Sequence, residues 1–237
     1  MAGFNQITWD GKSSFDDYGL TIQSKEIGNP AKKKVRVPIP GGNGYYDYAP
    51  LLGEQYEERK LKYVFNLLDN RYFDKRVMNN VKIKVLNWLI PGTQRQLFDD
   101  AIPGFYFMAE VQNAPSFSEK SAQSTLTVEF TAYPFKIGQF YEGNDHWDDY
   151  NLDFDVFQDT EFDVAGSKQI ILINASAIDL LPNIKVNGDI TVSGNGATTQ
   201  FSTGEYSNTP VVLRKRVNYL TLTGTGHISF LFRKELL

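Results

Sequence analysis

The chain has 237 residues and no cysteine. Disulfides, thiolate nucleophiles and zinc–thiolate sites are excluded together, and folding in a reducing compartment is expected. Histidine occurs twice, as His146 and His227, which leaves little material for general-base chemistry. No stretch approaches the ~18 consecutive apolar residues of a membrane span. The opening MAGFNQITWDGKSSFDDYGL lacks a basic segment followed by an apolar run, so no secretory signal is expected. A basic excess is missing too. A net charge of −4 argues against a nucleic-acid binder.

What the chain does have is rings. Aromatics make up 14% of it, with 13 Tyr and 17 Phe against three Met. With many Val, Ile and Thr, they suit a pleated, half-buried surface better than a helix bundle. Some of the rings also suit subunit contacts, where Tyr and Trp are enriched. Charge is uneven along the chain. Residues 1–138 carry 17 Lys+Arg and 15 Asp+Glu, a balance of +2, and residues 139–237 carry 7 and 13, a balance of −6. That step points to two domains.

Residues 3–9 and 19–27 read as short strands. A strand ending near Val37 precedes a long aromatic loop, because Pro38 and Pro40 cannot donate ladder hydrogen bonds and Gly41, Gly42 and Gly44 break the chain. Beyond Glu57 the alternation is clear: Leu61, Tyr63, Phe65 and Leu67 share one face, with Lys60, Lys62 and Asn66 opposite. Val77, Val81, Val85 and Trp88 form the apolar stripe of a helix over about 72–89. Asp74 suits its positive end, and Pro91-Gly92 stops it. Strands follow at Gln94–Phe98, Phe105–Val111 and about Ser121–Tyr133, the last with Leu126, Val128 and Phe130 on its buried face.

Residues 139–152 read as an acidic connector. Beyond them short strands are expected at Asp153–Val164, Gln169–Asn174, Asn183–Val186, Asp189–Ser193, Gly196–Ser202, Val211–Arg216, Tyr219–Thr223 and His227–Arg233. Turn signals at Asn187-Gly188, Gly194–Gly196 and Gly224–Gly226 separate them. The expected architecture is mainly β: an N-terminal β-rich domain with one helix over 1–138, then a β-sandwich over 153–237.

Candidates for catalysis fail one by one. His227 lies in a β pattern, and His146 sits among Asp145, Asp148 and Asp149, which favour imidazolium over a free base. There is no Gly-x-Ser-x-Gly elbow. The GGNG at 41–44 lacks the following lysine and the strand-to-helix setting of a phosphate-binding loop. Between Glu142 and Asp163 there are nine acids and no Lys or Arg. Their spacing does not match an EF-hand. A solvated connector, an inter-subunit or cation contact, and a carboxylate pair for glycoside hydrolysis remain open for them. Trp147 and Tyr150 either pin the connector or offer a sugar-stacking platform, with Tyr206 as a further ring. A module binding host cell-wall glycans is the alternative function.

A family likeness rests on the order of several segments. They are Phe15, Asp17-Tyr18-Gly19-Leu20, the loop from Ile39 through Gly42, Asn43, Tyr45 and Tyr46 to Asp47, and Tyr56 leading an alternating strand. Asn87-Trp88-Leu89, Leu97-Phe98-Asp99-Asp100, Phe105-Tyr106 and the run Val128 to Pro134 follow in order. In the second half it rests on layout and on the ending Tyr219 to Phe230. In these features the chain resembles the distal tail (Dit) proteins of long non-contractile-tailed phages. The resemblance implies a virion structural protein of a phage or prophage, with no catalytic residue, cofactor or metal. It implies a homohexameric ring, possibly one of a stacked pair, built by the N-terminal domain and carrying a galectin-like C-terminal sandwich. The implied partners are the major tail tube protein, a tail-associated fibre-like protein and a receptor-binding protein or adaptor, with DNA only in transit. The implied place is the baseplate at the virion tail tip, serving host attachment, after assembly in the bacterial cytoplasm. In a ring, one face of each subunit must fit a different face of the next. The basic run Lys32, Lys33, Lys34 and Arg36 and the loop holding Gly42, Asn43, Tyr45, Tyr46 and Tyr48 are the candidates for such an interface or for the lumen. A positive lumen suits DNA passage, since phosphate contacts weaken with salt. A solvated cluster guarding an edge strand explains the same lysines.

Overall fold

The computed structural model describes residues 5–48, 53–67, 75–119, 124–143 and 151–237. The chain divides into two units, residues 1–136 and 137–236. Among the described residues it is mainly β with one helix.

The first unit begins with β1 (Ile7–Trp9), β2 (Lys12–Ser13), β3 (Leu20–Ile27), β4 (Lys32–Lys33), β5 (Arg36–Pro38), β6 (Tyr45–Asp47), β7 (Gln55–Tyr56) and β8 (Arg59–Leu67). It continues with α1 (Lys75–Leu89), β9 (Arg95–Asp99), β10 (Phe105–Glu110), β11 (Ser116–Glu119) and β12 (Ser124–Ala132). The main sheet has the order β2-β1-β9-β10-β12-β8-β3, with β11 also on β12. Alternation sets its register. On β8, Leu61, Tyr63 and Phe65 are fully buried, and β12 answers with Leu126, Val128 and Phe130 across the pairs Leu126↔Phe65, Val128↔Tyr63 and Phe130↔Leu61. A one-residue slip would turn both apolar sets to solvent, so this register is strongly specified.

Helix α1 lays Val85, Trp88 and Leu89 on the same core, with Val81 packed at its margin. Each such burial stabilises by about 1.5–3 kcal/mol. The Trp88 indole N–H donates to the Trp9 carbonyl at 2.9 Å, and Tyr18 stacks on Trp88 with ring centroids 4.7 Å apart. Asp74 and residues 72–73, expected in the first turn of the helix, lie outside the described residues. Asp99 is buried with its carboxylate satisfied: it accepts from Lys25 Nζ at 2.8 and 2.9 Å and from the Tyr63 hydroxyl at 2.9 Å. Burial, and then the Asp99 carboxylate, push the Tyr63 phenol far above its ordinary pKa.

The second unit uses β14 (Glu161–Asn174), β15 (Asn183–Gly194), β16 (Ala197–Phe201), β17 (Gly204–Tyr206) and β18 (Arg216–Leu231) in one antiparallel sheet, ordered β14-β18-β15-β16 with β17 on β15. β13 (Lys136–Gly138) and β19 (Glu235–Leu236) pair with each other and are not strands of this sheet. The sequence signals mislead here. Strands expected to end at Asn187-Gly188 and Gly224–Gly226 instead run straight through them. The buried residues explain why. Val164, Ile170 and Leu172 on β14, Ile184, Val186, Ile190 and Val192 on β15, and Leu220, Leu222, Ile228 and Phe230 on β18 belong to one core cluster. Within each strand they lie on one face, on both sides of the glycines, so the sheet bends to bring both halves of that face onto one core. At the bend Gly188 faces Gly226 and Ile190 faces Gly224. A Cβ on Gly188 would sit 2.3 Å from the Thr225 carbonyl oxygen, and one on Gly224 2.1 Å from that of Asp189. Their φ values of 120° and 135° are also glycine territory.

Two other strand expectations fail. Residues 151–155 form a turn closed by Asp155 N–H to the Asn151 carbonyl at 2.8 Å, so β14 starts only at Glu161. Val211–Arg216 contributes an isolated bridge, Leu180↔Leu213, and no full strand.

Candidate functional site

The aromatic loop expected after Val37 is a two-stranded arm. β5 pairs with β6 in the register Arg36↔Asp47, Val37↔Tyr46 and Pro38↔Tyr45, and β4 pairs with β7 through Lys32↔Tyr56 and Lys33↔Gln55. Pro38 sits at the strand end, where its missing N–H costs no ladder bond. The tip is closed by Ile39 N–H to the Gly44 carbonyl at 3.0 Å and Gly42 N–H to the Ile39 carbonyl at 3.1 Å. Gly42 and Asn43 stand exposed there.

None of the described residues from Ala31 to Glu58 is buried. Tyr45 and Tyr46 are 50% and 56% exposed, and Val37 is exposed beside them. An isolated two-stranded hairpin is marginally stable in water, so this arm gains most by covering its rings against another surface. Its local supports are few. The Arg36 guanidinium lies 3.9 Å from the Tyr45 ring centroid, Lys32 pairs with Glu54 at 2.7 Å, and Tyr48 N–H donates to the Val35 carbonyl at 3.1 Å. The bond to Glu54 raises the Lys32 pKa above its ordinary value. The structure thus gathers Lys32, Lys33, Lys34, Arg36, Gly42, Asn43, Tyr45, Tyr46 and Tyr48 on one arm. Lys33 and Lys34 are exposed and form no ion pair among the described residues.

The other candidates fare differently. Trp147 and Tyr150 lie outside the described residues. Tyr206 is packed edge-on to Phe201 at 5.0 Å and donates to the Ser202 carbonyl at 3.1 Å; its ring is part of the core margin. Glu142, expected on a solvated stretch, is buried instead. It pairs with the equally buried Lys234 at 3.4 Å, and Lys234 also pairs with Asp155. Burial raises the Glu142 pKa, opposed by Lys234 and Gln158.

His227 lies on β18 with Nδ1 2.9 Å from Asp163 Oδ1 and Nε2 3.4 Å from Ser229 Oγ. The row has the composition of a nucleophilic triad, but its serine, Ser229, is buried at 6% exposure. Among the described residues no group of three or more His, Asp or Glu side chains is placed to hold a metal ion, and no helix is long and apolar enough to cross a membrane.

No family model and no curated protein matches the sequence. A solved structure does. The Dit protein of SPP1, described as a paradigm of the hub adsorption apparatus in phages infecting Gram-positive bacteria, superposes with a TM-score of 0.67 over 99% of this chain and 100% of its own. The chain has the Dit fold. At 13% identity the likeness lies in topology, not in individual residues, and it agrees with the resemblance drawn from the order of the sequence segments. What the sequence did not disclose in this Dit fold is that the arm is paired through two short ladders. Pro38, Pro40 and the three glycines Gly41, Gly42 and Gly44 signal a loop. The alternation of Arg36 and Val37 against Tyr46 and Asp47 is too short to stand out.

Proposed function

We propose that the chain is a distal tail hub protein of a phage or prophage. Copies of it close into a homohexameric ring that joins the tail tube to the tail-tip fibre-like protein, and receptor-binding proteins or their adaptor attach to that hub. The observation that carries this reading is the end-to-end likeness to a Dit hub protein, with neither chain leaving a substantial part unmatched. The coreless arm supports it. A cyclic oligomer needs a projecting surface on each subunit that fits a different surface of the next, and the arm offers exposed Tyr45, Tyr46 and Val37 for that contact. Its mechanism is then assembly: burying rings that one copy alone leaves in water.

Negative-stain electron microscopy of the purified chain is the test. Closed rings with sixfold symmetry are expected, and Tyr45→Glu with Tyr46→Glu should abolish them without unfolding the subunit. Particles of monomer size from the unmodified chain at all concentrations would contradict the ring.

A further inference from the structure

A cavity of about 370 Å³ opens between α1 and the chain that runs from β2 into β3. Lys12 on β2 and Asp17 on the following turn line one side, Lys84 and Asn87 on the helix line the other, and the rings of Tyr18 and Trp88 lie between them. Positions 84, 87 and 88 share a helix face because they are three and four residues apart. The rings are held in place: Trp88 is buried, and Tyr18 stacks on it at 4.7 Å. The polar groups are still open. Among the described residues Lys12 and Lys84 form no ion pair, and neither the Asn87 carboxamide nor the Tyr18 hydroxyl has a hydrogen-bond partner. Asp17 accepts the Ser13 N–H on Oδ2 at 2.7 Å, which leaves Oδ1.

A cavity of this size, with rings beside a few convergent polar groups, has the form of a small-ligand site. Its chemistry narrows the ligand. Two lysines against one aspartate leave a single positive charge to balance, and Asp17 opposes a second negative charge on the ligand. The carboxylate, carboxamide and phenol call for several hydroxyls, which a plain carboxylic acid lacks. We propose that this cavity binds a sugar unit carrying one carboxylate, a uronic acid. The carboxylate meets Lys12 and Lys84, the hydroxyls bond with Asp17, Asn87 and the Tyr18 hydroxyl, and the C–H groups of the sugar lie against the rings, whose faces are negative. The site uses no residue of the arm and does not depend on the hub assignment.

Isothermal titration calorimetry of the whole chain with sodium glucuronate at low salt is the test. Saturable binding is expected with a dissociation constant of about 1 mM. Glucose and acetate, which each supply half of the chemistry, should bind at least about tenfold more weakly, and glucose 6-phosphate should also bind less well than glucuronate. Lys12→Met and Lys84→Met change exposed side chains and should each weaken glucuronate about three- to tenfold. Absence of saturable heat with glucuronate would overturn the site, as would full affinity in both lysine variants. Acetate, glucose or glucose 6-phosphate binding as tightly as glucuronate would overturn the assignment to an acidic sugar.

Discussion

Replacing Gly224 by alanine tests the bent sheet of the second unit. The added Cβ would lie 2.1 Å from the Asp189 carbonyl oxygen and 3.1 Å from the Ile190 Cα. It would also be held at φ 135°, a conformation that costs about 1–3 kcal/mol for a residue with a Cβ. Parting β15 from β18 to relieve the contact costs a further ~1–3 kcal/mol, as for an overpacked core. The sum is about 2–6 kcal/mol, a large part of the ~5–15 kcal/mol that holds a domain together. Gly204→Ala is the control. Its φ is not positive and its nearest neighbours are Tyr206 ring atoms at 3.4 Å, so a change within about 1 kcal/mol is expected. Urea unfolding followed by far-UV circular dichroism measures both, with equal m-values showing that stability alone changed. Equal midpoints for the two variants would refute the argument that the glycines sit where two strands touch. It would return them to their sequence role as turn residues.

Other expectations follow from charges and exposed rings. Tyr63→Phe removes one donor from the buried Asp99 carboxylate and should cost about 1–3 kcal/mol in denaturant unfolding. Glu142 holds its proton more tightly in the folded chain than unfolded. Between its ordinary and raised pKa the native state binds more protons, so its contribution to stability falls as pH rises through that window. Glu142→Gln should flatten that part of the stability–pH curve, and an unchanged slope would contradict the assignment. The Tyr45→Glu, Tyr46→Glu pair changes only exposed side chains. It should shift the denaturation midpoint by less than the equivalent of about 0.5 kcal/mol, while lowering the mass of the assembled particle.

The first sheet was legible because burial there is one-sided. Leu61, Tyr63, Phe65 and Leu67 alternate with Lys60, Lys62 and Asn66, and Val81, Val85 and Trp88 keep helical spacing, so periodicity and packing agree. The second unit was legible in its composition but not in its connections. Asn187-Gly188 and Gly224–Gly226 have the local chemistry of hairpin turns. What decides their role is the strand across from them, Gly188 against Gly226 and Ile190 against Gly224, which no local window contains. Arg59 shows the opposite failure. Its parity on β8 places it inside, while its charge argues for the surface, and only the Pro134 carbonyl and the Phe107 ring reveal which prevails. Of the candidate site, the residues were legible and the form was not. The rings and lysines of 32–48 were identified as surface material, but their pairing into an arm depends on two- and three-residue ladders too short to leave a periodic signature.

Light scattering of the purified chain across a concentration series tests the central claim most directly. A hub ring is expected at about six times the 26.9 kDa of one chain, in keeping with closed cyclic symmetry. A mass that stays at one chain throughout the series would contradict it.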